Sequence, residues 1–179
     1  MRLSPDFLRQ YAAKPMDLFV ETGCGHGYGL EIASQVFHEC QSIELSESNY
    51  GHCKKRFSAH PNVRLTLGNS PDYLKTLTGH RATTFWLDAH YSGAGPKPEV
   101  ECPLLDELRA IKAIDWNMPY AILVDDGYYF TANNWFWRTE PSLAYTREKW
   151  PTVKQMAEIM GVEPLPYMVK GKAKVLMFL

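Results

Sequence analysis

Leu18-Phe19-Val20-Glu21-Thr22-Gly23-Cys24-Gly25-His26-Gly27-Tyr28-Gly29 is the stretch whose reading decides the architecture. An apolar run ends in an acid, and Gly23, Gly25 and Gly27 follow at alternate positions. Leu30, Ala33 and Phe37 then recur with helical period. A strand that turns sharply into a helix while leaving its backbone bare to a ligand needs glycine at the turn. The helix start beyond it offers unpaired N–H groups to an anionic or carboxylate-bearing ligand. Seventeen residues after Gly27, the run Ile43-Glu44-Leu45 ends a second strand candidate. Its acid falls where ribose hydroxyls of nucleotides are held in such folds.

Working outward, short apolar runs alternate with segments of helical period. Strands are expected over Asp17 to Glu21, Gln41 to Leu45, Val63 to Leu67, Thr83 to Asp88 and Tyr120 to Asp125, each with the apolar character of a buried parallel strand. Helical faces are carried by Tyr50, Cys53 and Phe57; by Leu104, Leu108 and Ile111; and by Val153, Met156, Ala157 and Met160. Ser46 reads as one N-cap, and Ser70-Pro71-Asp72 as a cap, an N1 proline and an early acid. The expected fold is therefore α/β: a doubly wound, mostly parallel sheet in a three-layer α/β/α arrangement. Leu165 to Val169, a glycine turn at Gly171 and Ala173 to Leu179 close it with an antiparallel β-hairpin. The 179 residues suffice for a single domain with its own core, spanning 1–179.

Composition narrows the function. Charge is balanced, with 19 Lys+Arg against 20 Asp+Glu, so the basic excess of a phosphate-backbone binder is missing and no nucleic-acid partner is expected. The longest apolar runs are far too short to span a bilayer, and the N-terminal segment carries charges rather than a leader's apolar core. No membrane association and a cytoplasmic location are the expectations. Cys24, Cys40, Cys53 and Cys102 are too few and scattered for a disulfide framework and make no zinc motif. Aromatic residues reach 13% of the chain.

The glycine loop does not fit the dinucleotide fingerprint G-x-G-x-x-G: counted from Gly23, Gly25 or Gly27, the last position is Tyr28, Leu30 or Ile32. A nicotinamide-dependent oxidoreductase is thereby the weaker reading. The pattern present, Glu21-x-Gly23-x-Gly25-x-Gly27, resembles motif I of the class I S-adenosylmethionine-dependent methyltransferases. Phe85 to Gly93, Cys102 to Leu108 and Ile122 to Gly127 further resemble a bacterial group of methyltransferases with LDAHxSG and DDA-type motifs. The resemblance implies a Rossmann-like sheet with a reversed last strand and S-adenosyl-L-methionine as cofactor. It also implies a cofactor set of Glu21, Gly23, Gly25, Gly27, Glu44, Leu45, Asn69, Ser70 and Asp88.

Asp88 ends the fourth strand candidate, and Asp125 and Asp126 end the fifth, so all three acids are expected together at the carboxyl edge of the sheet. Crowded carboxylates repel one another unless a cation neutralises them, and Mg²⁺ or Mn²⁺ is one expected occupant of Asp88, Asp125 and Asp126. Metal-dependent O-methyltransferases have a similar arrangement. The competing reading gives Asp88 a hydrogen bond to the cofactor and leaves Asp125-Asp126 to turn the strand. His90 is the candidate general base, because imidazole is the side chain that titrates nearest neutrality, and Asp88 shares the catalytic set. Cys102-Pro103 reverses the Pro-Cys order of cytosine methyltransferases, and no Asn/Asp-Pro-Pro-aromatic motif follows Leu87. Both points turn the expectation toward methylation of a small-molecule hydroxyl oxygen.

An insert from Gly127 to Arg147 holds Tyr128, Tyr129, Phe130, Trp135, Phe136, Trp137 and Tyr145. These rings are expected either to wall the acceptor pocket or to pack in a homodimer interface. Phe7 and Tyr11, on a short N-terminal helix, are expected to form a partial lid. A catalytically silent cofactor-binding module whose insert docks a partner protein is the alternative from another class.

Overall fold

Strands β1 (Leu18–Thr22) and β4 (Thr83–Leu87) lie side by side at the centre of a seven-stranded sheet, and every residue of both is buried. The computed structural model describes residues 3–91, 98–131, 150–170 and 172–179. β2 (Glu39–Glu44) and β3 (Val63–Leu67) extend the sheet on one side of β1, and β5 (Tyr120–Asp125) follows β4 on the other. These five strands are parallel. β7 (Lys172–Phe178) runs antiparallel between β5 and β6 (Leu165–Val169), giving the order β3-β2-β1-β4-β5-β7-β6. The hairpin is thus found where the glycine turn predicted it, with its second strand placed inside the sheet.

Helices cover both faces. α1 (Pro5–Tyr11), α2 (Tyr28–Ala33) and α3 (Glu47–Arg56) bring Phe7, Leu8, Leu30, Ala33 and Cys53 onto one side, packed with Phe19, Cys40 and Leu123. α4 (Ser70–Leu74), α5 (Leu104–Lys112) and α6 (Val153–Met160) bring Leu74, Leu104, Leu108, Ile111, Met156 and Met160 onto the other, packed with Val20, Phe85 and Ile122. The apolar period of α5 explains its packing: Leu108 and Ile111 are fully buried, and trimming either to Ala should cost about 2–5 kcal/mol. Caps set the helix starts. Ser46 accepts from the Asn49 N–H, and Thr152 and Gln155 form a capping box on α6.

Two local expectations are corrected. The residue capping α4 is Asn69, one position earlier than predicted, because the Ser70 hydroxyl turns inward and donates to Glu107 at 2.5 Å. Phe7 and Tyr11 do not form a lid; Phe7 is buried against Trp86 and Tyr167, and Tyr11 packs on Tyr167. Among the described residues, no helix is long and apolar enough to cross a membrane.

Register aligns the functional edge. Thr22 pairs with Ile43 and with Leu87, and Leu87 with Val124. One residue further along each strand therefore sets Gly23, Glu44, Asp88 and Asp125 in a single row at the carboxyl ends. That row fixes where a ligand can meet several strands at once.

Candidate active site

The glycine loop rises from this row. Gly23 has φ +80°, and a Cβ there would lie 2.7 Å from the Asp88 carbonyl oxygen, so only glycine lets the β1 and β4 ends pass each other. Gly25, at φ +49°, is different: a Cβ built on it meets nothing within 4 Å, so the crest of the loop faces open space. Gly27 starts α2 and presses on the Phe57 ring. The Glu44 carboxylate reaches back to the crest. It accepts from the Gly25 N–H at 3.0 Å and from the Ser46 N–H at 2.8 Å, and its surroundings leave it only 7% exposed. Leu45 beside it stands 64% exposed, an apolar side chain offered to solvent next to an anchored acid.

Glu21 lies beneath the loop. It is buried, accepts from the Ser42 hydroxyl at 2.7 Å, and sits under the first turn of α2, where a Cβ on Gly29 would strike its carboxylate. Burial pushes its pKa up to about 7, the Ser42 hydrogen bond partly opposing and the nearby Glu44 charge adding to the rise. Asn69 points to Asp72, and Ser70 is committed to Glu107, so neither side chain is directed at the loop.

The second half of the site is a chain of charged groups. His90 Nδ1 faces Asp88 Oδ1 at 3.5 Å, and His90 Nε2 faces Asp126 Oδ2 at 3.7 Å. The imidazole is 8% exposed and packs in a cluster with the rings of Trp150 and Tyr129, whose centroids are 5.3 and 5.6 Å away. Lys174 of β7 reaches both remaining acids, contacting Asp126 Oδ1 closely and Asp125 Oδ1 at 3.0 Å. Burial and the charges of Asp125 and Asp126 hold Asp88 well above the usual carboxylate range. Asp125 is raised by burial and by Asp126. Burial also works to raise Asp126, but hydrogen bonds from His90 and Lys174 prevail and hold it low.

The expectation of Mg²⁺ or Mn²⁺ on Asp88, Asp125 and Asp126 meets a different arrangement of charge. Among the described residues no group of three or more His, Cys, Asp and Glu side chains is arranged to hold a metal ion. The cation set against Asp125 and Asp126 is the Lys174 ammonium, and Asp88 faces His90 instead.

Lys174, Glu107 and Trp150 were not singled out from the sequence. Glu107 is fully buried on α5, and burial lifts its pKa to about 7 against the hydrogen bonds of Ser70 and Thr22. With His90, Cys102 and Phe130 it lines a cavity of about 10 Å³ behind the imidazole, the volume of one water. An available signal was its position: Glu107 lies three residues after Leu104, on the apolar face of the helix. Trp150 donates its indole N–H to Glu101 at 3.1 Å. Of the aromatic insert, Gly127–Phe130 forms a 3-10 turn with Phe130 buried against Trp150. Trp135, Phe136, Trp137 and Tyr145 lie outside the described residues.

No protein-family model and no curated protein matches the sequence. Solved structures do. Geranyl diphosphate C-methyltransferase of Streptomyces coelicolor, in complex with Mg²⁺ and S-adenosyl-L-homocysteine, is 17% identical with a TM-score of 0.58, over 92% of this chain and 58% of that one. A SAM-dependent methyltransferase of Aquifex aeolicus is 12% identical with a TM-score of 0.57, over 99% and 91%. The YcgJ protein of Bacillus subtilis gives 11% and 0.56, over 90% and 67%. This chain thus spans about three fifths of the length of the geranyl diphosphate enzyme it matches. What the architecture defines is the Rossmann-like fold of S-adenosylmethionine-dependent methyltransferases, with its antiparallel hairpin at the β7-β6 edge.

Proposed function

We propose that the chain binds S-adenosyl-L-methionine on the Gly23–Gly27 loop and transfers its methyl group to a hydroxyl oxygen of a small-molecule acceptor. The observation that carries this reading is the open crest at Gly25 tied to the anchored carboxylate of Glu44. A carboxylate accepts more hydrogen bonds than the two backbone donors use, so Glu44 retains acceptor capacity for a pair of ribose hydroxyls. Leu45 offers an apolar surface for a purine face. The cofactor, when bound, supplies an activated methyl group on a sulfonium.

The chain's own contribution is positioning and proton handling. His90 takes the acceptor's hydroxyl proton on Nδ1, on the Asp88 side of the ring, while Asp126 orients the imidazole from Nε2. Tyr129 and Trp150 fix the ring plane and keep water from it. Lys174 sets one positive charge against Asp125 and Asp126, and this reading has no step that requires a divalent ion.

Calorimetry with S-adenosyl-L-methionine and with NAD, followed by transfer of labelled methyl to a panel of hydroxyl, amino and carbon acceptors, tests the proposal. Saturable binding of the first cofactor alone and labelling of hydroxyl acceptors are expected. Binding of NAD instead would overturn the cofactor. Tight cofactor binding with no transfer to any acceptor would make the chain a silent binding module.

A further inference from the structure

The carboxyl edge between β5 and β7 holds two acids and a base within one corner. Asp125 pairs with Val175 in the antiparallel register, so the next step sets Asp126 opposite Lys174. Asp126 is in the left-handed backbone region, φ 49°, and its N–H donates to Asp125 Oδ1 at 2.7 Å. The Gly127 that follows is packed so tightly on Leu176 that a Cβ there would lie 2.8 Å from its Cγ, which fixes this bend against β7. The side chains of Asp125, Asp126 and Lys174 are 16%, 21% and 20% exposed. Two adjacent carboxylates this sheltered repel one another strongly without a cation. A cation on a tether already folded into the sheet loses far less freedom on binding than an ion taken from solution.

We infer that Lys174 is a positioning residue that stands in for a divalent cation: its ammonium clamps Asp125 and Asp126, holds Asp126 turned toward His90, and masks a divalent-cation site those two carboxylates would otherwise form. Asp126 links the two halves of the device, with one oxygen on Lys174 and the other on His90. Removing the ammonium leaves two carboxylates and no counter-charge, the donor set that hard oxygen-seeking ions select. The inference draws on the proposed activity only for the importance of His90; the masked site is tested on the protein alone.

Mn²⁺ titration followed by electron paramagnetic resonance, on the chain without cofactor, reads the site directly. The wild type and Lys174→Arg are expected to show no Mn²⁺ binding that Asp125→Asn abolishes. Lys174→Met is expected to gain one Mn²⁺ bound about tenfold or more tighter, a gain lost again in Lys174→Met/Asp125→Asn. A wild type whose Mn²⁺ binding disappears with Asp125→Asn overturns the inference, as does a folded Lys174→Met that gains no ion. Should Lys174→Met fail to fold by circular dichroism, Lys174→Gln and Lys174→Gln/Asp125→Asn take its place in the same titration, with the same outcomes. In methyl transfer, Lys174→Met in EDTA should lose about tenfold or more in kcat with the cofactor KM unchanged, and Lys174→Arg should restore most of it. Failure of the wild type to bind S-adenosyl-L-methionine would remove the proposed function and leave the Mn²⁺ outcomes standing.

Discussion

The carboxylate of Glu44 accepts a hydrogen bond from the backbone N–H of Gly25 at 3.0 Å. The acid that ends β2 is thus part of the loop that follows β1, and the two features of a nucleotide site are one mechanical unit. A ligand that engages the acid also stiffens the crest, and a change in either is felt by both.

Substituting Glu44→Ala should therefore do more than remove one contact. It frees the Gly25 and Ser46 donors and removes the acceptor proposed for the ribose, so affinity for S-adenosyl-L-methionine should fall by roughly 10- to 100-fold, about the worth of a hydrogen bond to a charged group. Calorimetry measures it, with the melting temperature as a control for folding. An affinity within threefold of wild type would detach Glu44 from the cofactor.

The glycines should separate into two kinds. Gly25→Ala meets no neighbour and costs only the left-handed backbone penalty of about 1–2 kcal/mol, yet it places a methyl group on the crest, so cofactor binding should suffer more than stability. Gly27→Ala pays the same penalty and drives a Cβ to 2.6 Å from the Phe57 ring, so its melting temperature should drop further. Equal melting temperatures for the two variants would refute the distinction.

Burial of Glu107 makes a pH prediction. Its pKa is about 7 in the folded chain against 4.5 as the ordinary value, so the native state holds this proton more tightly than the unfolded state does. Stability from this group is complete below about pH 4.5 and is lost as pH rises through 7. Urea midpoints of wild type and Glu107→Gln, measured from pH 4.5 to 8, should diverge in favour of the variant, by up to about 3 kcal/mol at the upper end. Parallel curves would show that Glu107 is ionised at no cost.

His90→Ala should lower turnover by about 10²-fold or more while leaving S-adenosyl-L-methionine affinity within a factor of about two, because the imidazole belongs to the acceptor half of the site. Single-turnover methyl transfer to an accepted substrate, with calorimetry alongside, separates the two effects. A normal rate would move the base elsewhere.

The sheet was legible because its central strands β1, β4 and β5 are mostly apolar and the turn after β1 is marked by glycine, signals that act over a few residues. Glu21, Glu44, Asp88 and His90 could be read for the same reason: each sits within three positions of a strand end. Lys174 could not, since its meaning comes from the register of β7 on β5, which no local pattern specifies. Ser70 was misread as a cap because its hydroxyl is claimed by Glu107, 37 residues away. The cation beside these acids escaped the sequence reading on the same ground. The acids were correctly gathered, but the cation that meets them came from a strand distant in sequence.

That distance bears on how the chain acquires its shape. Lys174 and Asp126 are 48 positions apart, and β7, which carries the edge strand β6 with it, must dock on β5 before they meet. Closing such a long span costs entropy that is recovered only when the pairing is complete. The pairing of Leu18 with Thr83 spans more of the chain still, so the centre of the sheet and its reacting corner both depend on long-range closure. The reacting corner is thus a product of the completed sheet and of no single local hairpin.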